Sequence, residues 1–275
     1  MKKRTLLLLL TLSSCYIYAQ KKPKIKGNKN VVEVREYLPA FKAIQLNDDL
    51  DITLQKSSEE SYNIIADDNL LGVLKFEVLD STLVISSFYK ITAKKKLEIT
   101  VNYKELEAIT LRAGKVNVES MISSDKFYVN TYGSSKIDLN VSAALLNINM
   151  EGNSSGNLNL DSDSLSVSLK DKINAIIYSV GETASIEMFK NATVKIEGTT
   201  DSLSVRLVEN TSFKGAKFEA ASALLSLEGS STARIYAFKD FELASCGNSK
   251  TYLLGNPKIT ITKFLNTSIL RKEED

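Results

Sequence analysis

The sequence predicts an all-β fold, a right-handed parallel β-helix (β-solenoid) of about 19 residues per coil. Three observations carry this. Alternating apolar pairs recur in one phase, from Phe127-Val129 through Leu146-Ile148, Leu165-Val167, Ala184-Ile186, Leu203-Val205, Ala223-Leu225 and Phe241-Leu243 to Ile259-Ile261. Their first members are spaced 19, 19, 19, 19, 20, 18 and 18 residues apart. A turn signal then follows each pair. Gly133, Gly152, Asp171, Gly229 and Gly247 fall in one register, and Asn191, Asn210 and Asn266 fall one residue later. Gly, Asn and Asp tolerate a left-handed backbone.

Ser follows the turn repeatedly, as in Gly133-Ser134-Ser135 and Gly229-Ser230-Ser231, and supplies local hydrogen bonds there. A second alternating strand comes next, for example Ile137-Asp138-Leu139-Asn140-Val141 or Val194-Lys195-Ile196. One repeat is thus strand, turn, strand, return turn. So short a unit has no core alone, but stacked coils layer like on like. A β-propeller needs blades of roughly 40 residues, and the Leu/Asn framework of a leucine-rich horseshoe is missing. A β-sandwich of short strands is the structural alternative.

Taken in order, the chain opens on Lys2, Lys3 and Arg4, a short apolar run Thr5 to Leu12, and small residues. That is the layout of a signal peptide over 1–19. Cleavage between Ala19 and Gln20 is favoured. Leu12-Ser13-Ser14-Cys15 resembles a lipobox, in which Cys15 would carry the acyl chains and a membrane would become a partner. Removing 1–19 takes away three basic residues and no acidic one, which turns a formal charge of +2 into −1. Such a chain is a poor nucleic-acid binder. Residues 20–30 read as a basic tether. Residues 31–105 are strand-rich but less regular, and read as a cap with the first coils. Regular coils run over 106–265 inside one domain, 31–270, and a charged tail covers 271–275. Asp67-Asp68-Asn69 precedes one expected turn of helix. Ala108-Ile109-Thr110-Leu111 echoes Ala43-Ile44-Gln45-Leu46, and Gly114 follows it as the first turn glycine. Caps are expected at both solenoid ends, the second where the pattern breaks after Ile261.

The stretch from Phe41 to Val118 resembles the bacterial family called putative auto-transporter adhesin, head GIN domain. The likeness rests on Phe41 with Ile44, on Asp51 to Leu54, and on Asp68-Asn69-Leu70-Leu71. Asp80-Ser81-Thr82-Leu83-Val84-Ile85 and Val101 with Tyr103, Leu106 and Ile109 complete it. It extends over roughly residues 35–265. The resemblance implies export, a β-helical fold and an adhesive role, and it supplies no catalytic residues.

The chain contains no His, so Ser-His-Asp and Cys-His catalysis and histidine-zinc sites are excluded. Asp48-Asp49-Asp51 and Asp67-Asp68 lack a Ca²⁺-loop pattern and read as turn and cap residues. Asp161 and Asp163 offer paired carboxylates, but in a return turn rather than a groove. Tyr128, Tyr132, Tyr178 and Tyr236 would form a sugar platform only if they aligned. Lys94-Lys95-Lys96 reads as a solvated loop and Cys246 as a half-buried structural thiol. No cofactor or metal is expected. The expected function is a non-enzymatic, exported module that presents its outer faces to a protein or glycan. The alternatives are an envelope scaffold and a polysaccharide-active enzyme.

Overall fold

Period-two alternation gives each strand one apolar face, and the recurring turn returns the chain to bury that face against the next coil. The computed structural model describes residues 22–274, so Cys15, Ala19 and Gln20 lie outside the described residues. Of the described residues 73% are strand and 2% helix, and they form a β-solenoid of about 9 turns with about 19 residues per turn.

β1 (Lys24–Lys26) and β2 (Val31–Tyr37) precede β3 (Ala43–Leu46) and β4 (Asp51–Lys56). β5 (Ser61–Asp67), one helical turn α1 (Asp68–Leu71), β6 (Leu74–Leu79), β7 (Thr82–Ser87), β8 (Lys90–Ala93) and β9 (Leu97–Tyr103) follow. β10 (Ala108–Leu111) and β11 (Gly114–Val118) lead into long strands. These are β12 (Ile122–Thr131), β13 (Ser135–Gly152), β14 (Ser155–Asp171), β15 (Asn174–Lys190), β16 (Thr193–Glu209), β17 (Ser212–Leu227) and β18 (Thr232–Ser245). β19 (Lys250–Leu254), β20 (Lys258–Phe264) and β21 (Ile269–Lys272) finish the stack.

The predicted apolar series is a single parallel ladder. Phe127 pairs with Leu146, then Leu165, Ala184, Leu203, Ala223, Phe241 and Ile259. All but the last are buried. The expected return turn is instead a bend inside each long strand. Two consecutive residues point outward there, as at Ala144-Leu145, Asp163-Ser164, Glu182-Thr183 and Asp201-Ser202. The bend divides every coil between a first sheet, holding the Phe127 ladder, and a second sheet, holding Ile137 and its equivalents.

The sharp turn at the other edge takes a left-handed residue in every coil. These are Gly114, Gly133, Gly152, Asp171, Lys190, Glu209, Gly229, Gly247 and Asn266. The sequence reading at Asn191 and Asn210 is therefore corrected by one residue. Both lie in the turns, but positive φ falls on Lys190 (64°) and Glu209 (68°). Position in the coil decides this, because the residue after each left-handed one donates its N–H to the left-handed residue one coil below. Lys172 N–H reaches the Gly152 carbonyl at 2.8 Å and Asn210 N–H reaches that of Lys190 at 2.9 Å. A buried Ser closes the turn from inside: Ser154 Oγ–H donates to the Glu151 carbonyl at 2.9 Å, and Ser231 repeats this to Glu228 at 2.9 Å.

The N-terminal coils do not stack in chain order. β3 lies between β10 and β7, and β4 lies between β11 and β9. The Ala43 echo of Ala108 is thus a direct ladder contact. The end is closed by antiparallel strands, β6 on β7 and β5 on β9, with β2 on β5. Tyr62 of β5 stacks on Phe76 of β6 with centroids 4.1 Å apart, bridging the two sheets. Burial together with Glu36 pushes its hydroxyl up to about 12.

Three segments differ from expectation. Part of the basic tether is β1, which pairs in parallel with β8. The charged tail begins inside β21, and Arg234 grips Glu273 with two hydrogen bonds of 3.0 and 2.9 Å. The C-terminal end carries no cap among the described residues: β20 is exposed along its length, including Ile259 and Ile261. A register shift in β20 and the charged Lys272 in the inward row blunt that edge.

Asp67 precedes α1 but makes no cap bond. Its buried carboxylate instead accepts the backbone N–H groups of Lys29, Lys95 and Lys96 at 3.1 to 3.3 Å, tying three loops together. Burial opposes its ionisation, but these donors outweigh it and hold the carboxyl below the usual range. A folded-state pKa below the unfolded value of about 3.9 stabilises above that value, and the contribution is lost as pH falls through the folded one. The protection of the Lys95 and Lys96 amides, their exchange rate relative to an unstructured amide at the same pH, should therefore fall in acid. Asp67→Asn should show the acid-like protection at neutral pH; unchanged protection in the variant would contradict this role.

Candidate functional site

The parallel register aligns outward residues of the second sheet in rows about 4.8 Å apart. One row runs Asn117, Asp138, Asn157, Ile176, Lys195, Lys214, Arg234 and Tyr252. A neighbouring row runs Asn140, Asn159, Tyr178 and Glu197. Amides therefore occupy the early coils and cations the later ones. On the first sheet one outward row holds serines in its middle coils, Ser166, Ser185 and Ser204, between Tyr128 and Asn147 on one side and Leu224 and Glu242 on the other.

The amide rows line a shallow groove of about 400 Å³ that includes Asn117, Asp138, Asn140, Asn157, Asn159, Ile176 and Tyr178. Tyr178 is 51% exposed and forms an aromatic wall. Asp138 accepts from Asn157 Nδ2 at 2.7 Å and faces Lys115 Nζ at 2.9 Å. Burial opposes its charge, but Lys115 and Asn157 more than compensate, so the carboxyl titrates below the usual range. It is an anionic acceptor held in one orientation. The side-chain amides of Asn117 and Asn159 make no hydrogen bond among the described residues, so their donors and acceptors are free for a ligand.

The other sequence candidates do not converge. Tyr128 lies on the first sheet and Tyr132 in the turn after it, while Tyr178 and Tyr236 lie on the second, three coils apart. The four form no stripe. Asp161 and Asp163 sit on β14 at the bend, not in a turn, and border a shallow hollow with Asp125. Among the described residues no cluster of three or more His, Cys, Asp or Glu could hold a metal ion. Asp48 accepts Ser87 N–H at 2.8 Å and pairs with Lys22. Asp68 accepts Asn30 Nδ2 at 2.8 Å and also binds Asn28. Both carboxylates are structural. Cys246 is a half-buried free thiol. The amide groove escaped the sequence reading, which followed inward residues; the 19-residue spacing of Asn140 and Asn159 was the available signal.

The profile of the family described as putative auto-transporter adhesin, head GIN domain, matches residues 40–257. No curated protein matches the chain. Solved structures similar to it include a putative adhesin from Parabacteroides merdae, 15% identical, covering 92% of this chain and 98% of that one with a TM-score of 0.60. A putative lipid binding protein from Parabacteroides distasonis is 18% identical, covers 92% and 99%, and has a TM-score of 0.63. A putative adhesin from the same organism is 17% identical, covers 91% and 100%, and has a TM-score of 0.59. At these identities the likeness establishes the solenoid fold and nothing finer. The profile match spans most of the chain and coincides with the region whose motifs suggested it: the chain belongs to the putative auto-transporter adhesin, head GIN domain family.

Proposed function

We propose that the protein is an exported, non-enzymatic binding module that holds a glycan in the second-sheet groove. The observation that carries this is the pair of unengaged amides, Asn117 and Asn159, beside the exposed ring of Tyr178. Sugar hydroxyls occur in vicinal pairs that an amide can donate to and accept from, and the C–H face of a pyranose packs on an aromatic ring. The ladder fixes the backbone positions of these groups, so their spacing is set before a ligand binds. The groove is open, so each contact is weak and repeated glycans would add through multivalency. The family's description as an adhesin supports this reading. An acyl chain fits it less well, because the lining is polar and the solenoid interior is filled by its own side chains.

Glycan-array screening followed by titration calorimetry tests the proposal. Tyr178→Ala and Asn159→Ala should each weaken binding of the best glycan roughly 5- to 10-fold, with unchanged circular dichroism. Absence of any glycan ligand, or variants that bind like wild type, would overturn it.

A further inference from the structure

We propose that the ribbon formed by β1 and β8 docks on an anionic phospholipid surface. Its register sets Lys24 beside Lys90 and Ile25 beside Ile91. Like charges side by side in a sheet are destabilising, so this arrangement is not explained by folding. Ile91 packs toward the core, which turns Lys24, Lys26 and Lys90 to the opposite, outer face. Lys29 and Lys94 flank the end of the ribbon, where Gly27 N–H meets the Ala93 carbonyl at 2.8 Å.

Lys24, Lys26, Lys29, Lys90 and Lys94 form no ion pair among the described residues, whereas Lys42, Lys75, Lys96, Lys104 and Lys115 each meet a carboxylate. Nearby carboxylates are committed elsewhere: Asp48 to Lys22 and Ser87, Asp67 to three backbone N–H groups, and Asp68 to Asn28 and Asn30. Only Asp49 borders the ribbon without such a commitment. Phe88, 59% exposed, and Tyr89 immediately precede Lys90. Lys22, Lys24, Lys90 and Tyr89 share a hollow of about 540 Å³.

Lysines attract anionic headgroups, and an aromatic tip beside them enters the headgroup boundary. A soluble polyanion would leave Phe88 without a partner, which favours the lipid surface. Docking would place the solenoid's N-terminal end at the membrane and uses no residue of the amide groove.

The test uses the exported protein, with the N-terminus the cell leaves on it, in sedimentation with vesicles. One set is phosphatidylcholine and the other contains phosphatidylglycerol as well. Binding should be selective for the anionic set and should weaken as salt rises. Lys24→Gln combined with Lys26→Gln and Lys90→Gln should lower it roughly 100-fold. This variant removes a like-charge contact, so the ribbon is expected to stay folded. Phe88→Ser should lower binding about 5-fold with the same salt dependence, and Tyr178→Ala should leave it unchanged. Equal binding to neutral vesicles, a triple variant that binds like wild type, or retention by heparin without retention by vesicles would each overturn the proposal.

Discussion

Phe213→Ala is expected to destabilise the solenoid by about 4 kcal/mol, near the upper part of the range for such truncations. The reason lies in its ladder. Phe213 pairs with Val194 below and Ala233 above, and Ala175 lies one coil further down. All are buried. The ring also covers Gly215, whose missing side chain makes room for it. None of these ladder neighbours is large enough to fill the space that truncation would leave, and parallel hydrogen bonds prevent the coils from collapsing together. Urea denaturation should show a lower midpoint with little change in slope. Because coils contact mainly their neighbours, amide exchange should accelerate most around β16 to β18. A loss below about 1 kcal/mol would mean that the ladder relaxes, against close packing of the interior.

Gly152→Val should cost about 3 kcal/mol through the turn ridge. Gly152 has φ +84°, and a Cβ there would lie 2.8 Å from the Gly133 carbonyl oxygen and 2.9 Å from its nitrogen. The obstruction is backbone, so a rotamer change cannot relieve it. A β-branched side chain adds its own strain in the left-handed region. Asp171, Lys190 and Glu209 hold the same position with unbranched side chains, and Lys190 pairs with Asp171 across one coil. Gly152→Asn should therefore cost clearly less than Gly152→Val. Exchange at the Asn153 and Lys172 amides, which bond to Gly133 and Gly152, gives the local readout. Equal costs for the two variants would show that branching is irrelevant and that the ridge yields to any side chain.

The amide groove and the Lys ribbon were less legible than the core for one shared reason. Burial constrains Leu146, Leu165 and Leu203 to be apolar, so their spacing leaves a periodic trace. Nothing in folding constrains Asn159, Tyr178 or Lys90 in the same way, because each faces water. The basic segment before Val31 read as a tether because three residues of alternating Lys and Ile carry too little pattern to announce a strand. Its partner, β8, is 66 residues away in the chain, with Lys24 opposite Lys90.

What the amino-acid order determined by itself was the coil length, the inward set and the family. Period-two alternation and a recurring turn demand them, and a single misplaced residue would expose the whole apolar row. Tertiary structure alone decided that β3 and β4 sit between β7, β9 and the later coils. It also decided that left-handed strain falls on Lys190 and Glu209 rather than on the adjacent asparagines. Neighbouring coils offer equivalent hydrogen-bonding edges, so the repeat does not say which coil meets which. Only the antiparallel closure by β5 and β6, and the fixed height at which each turn must meet the coil below, select one arrangement.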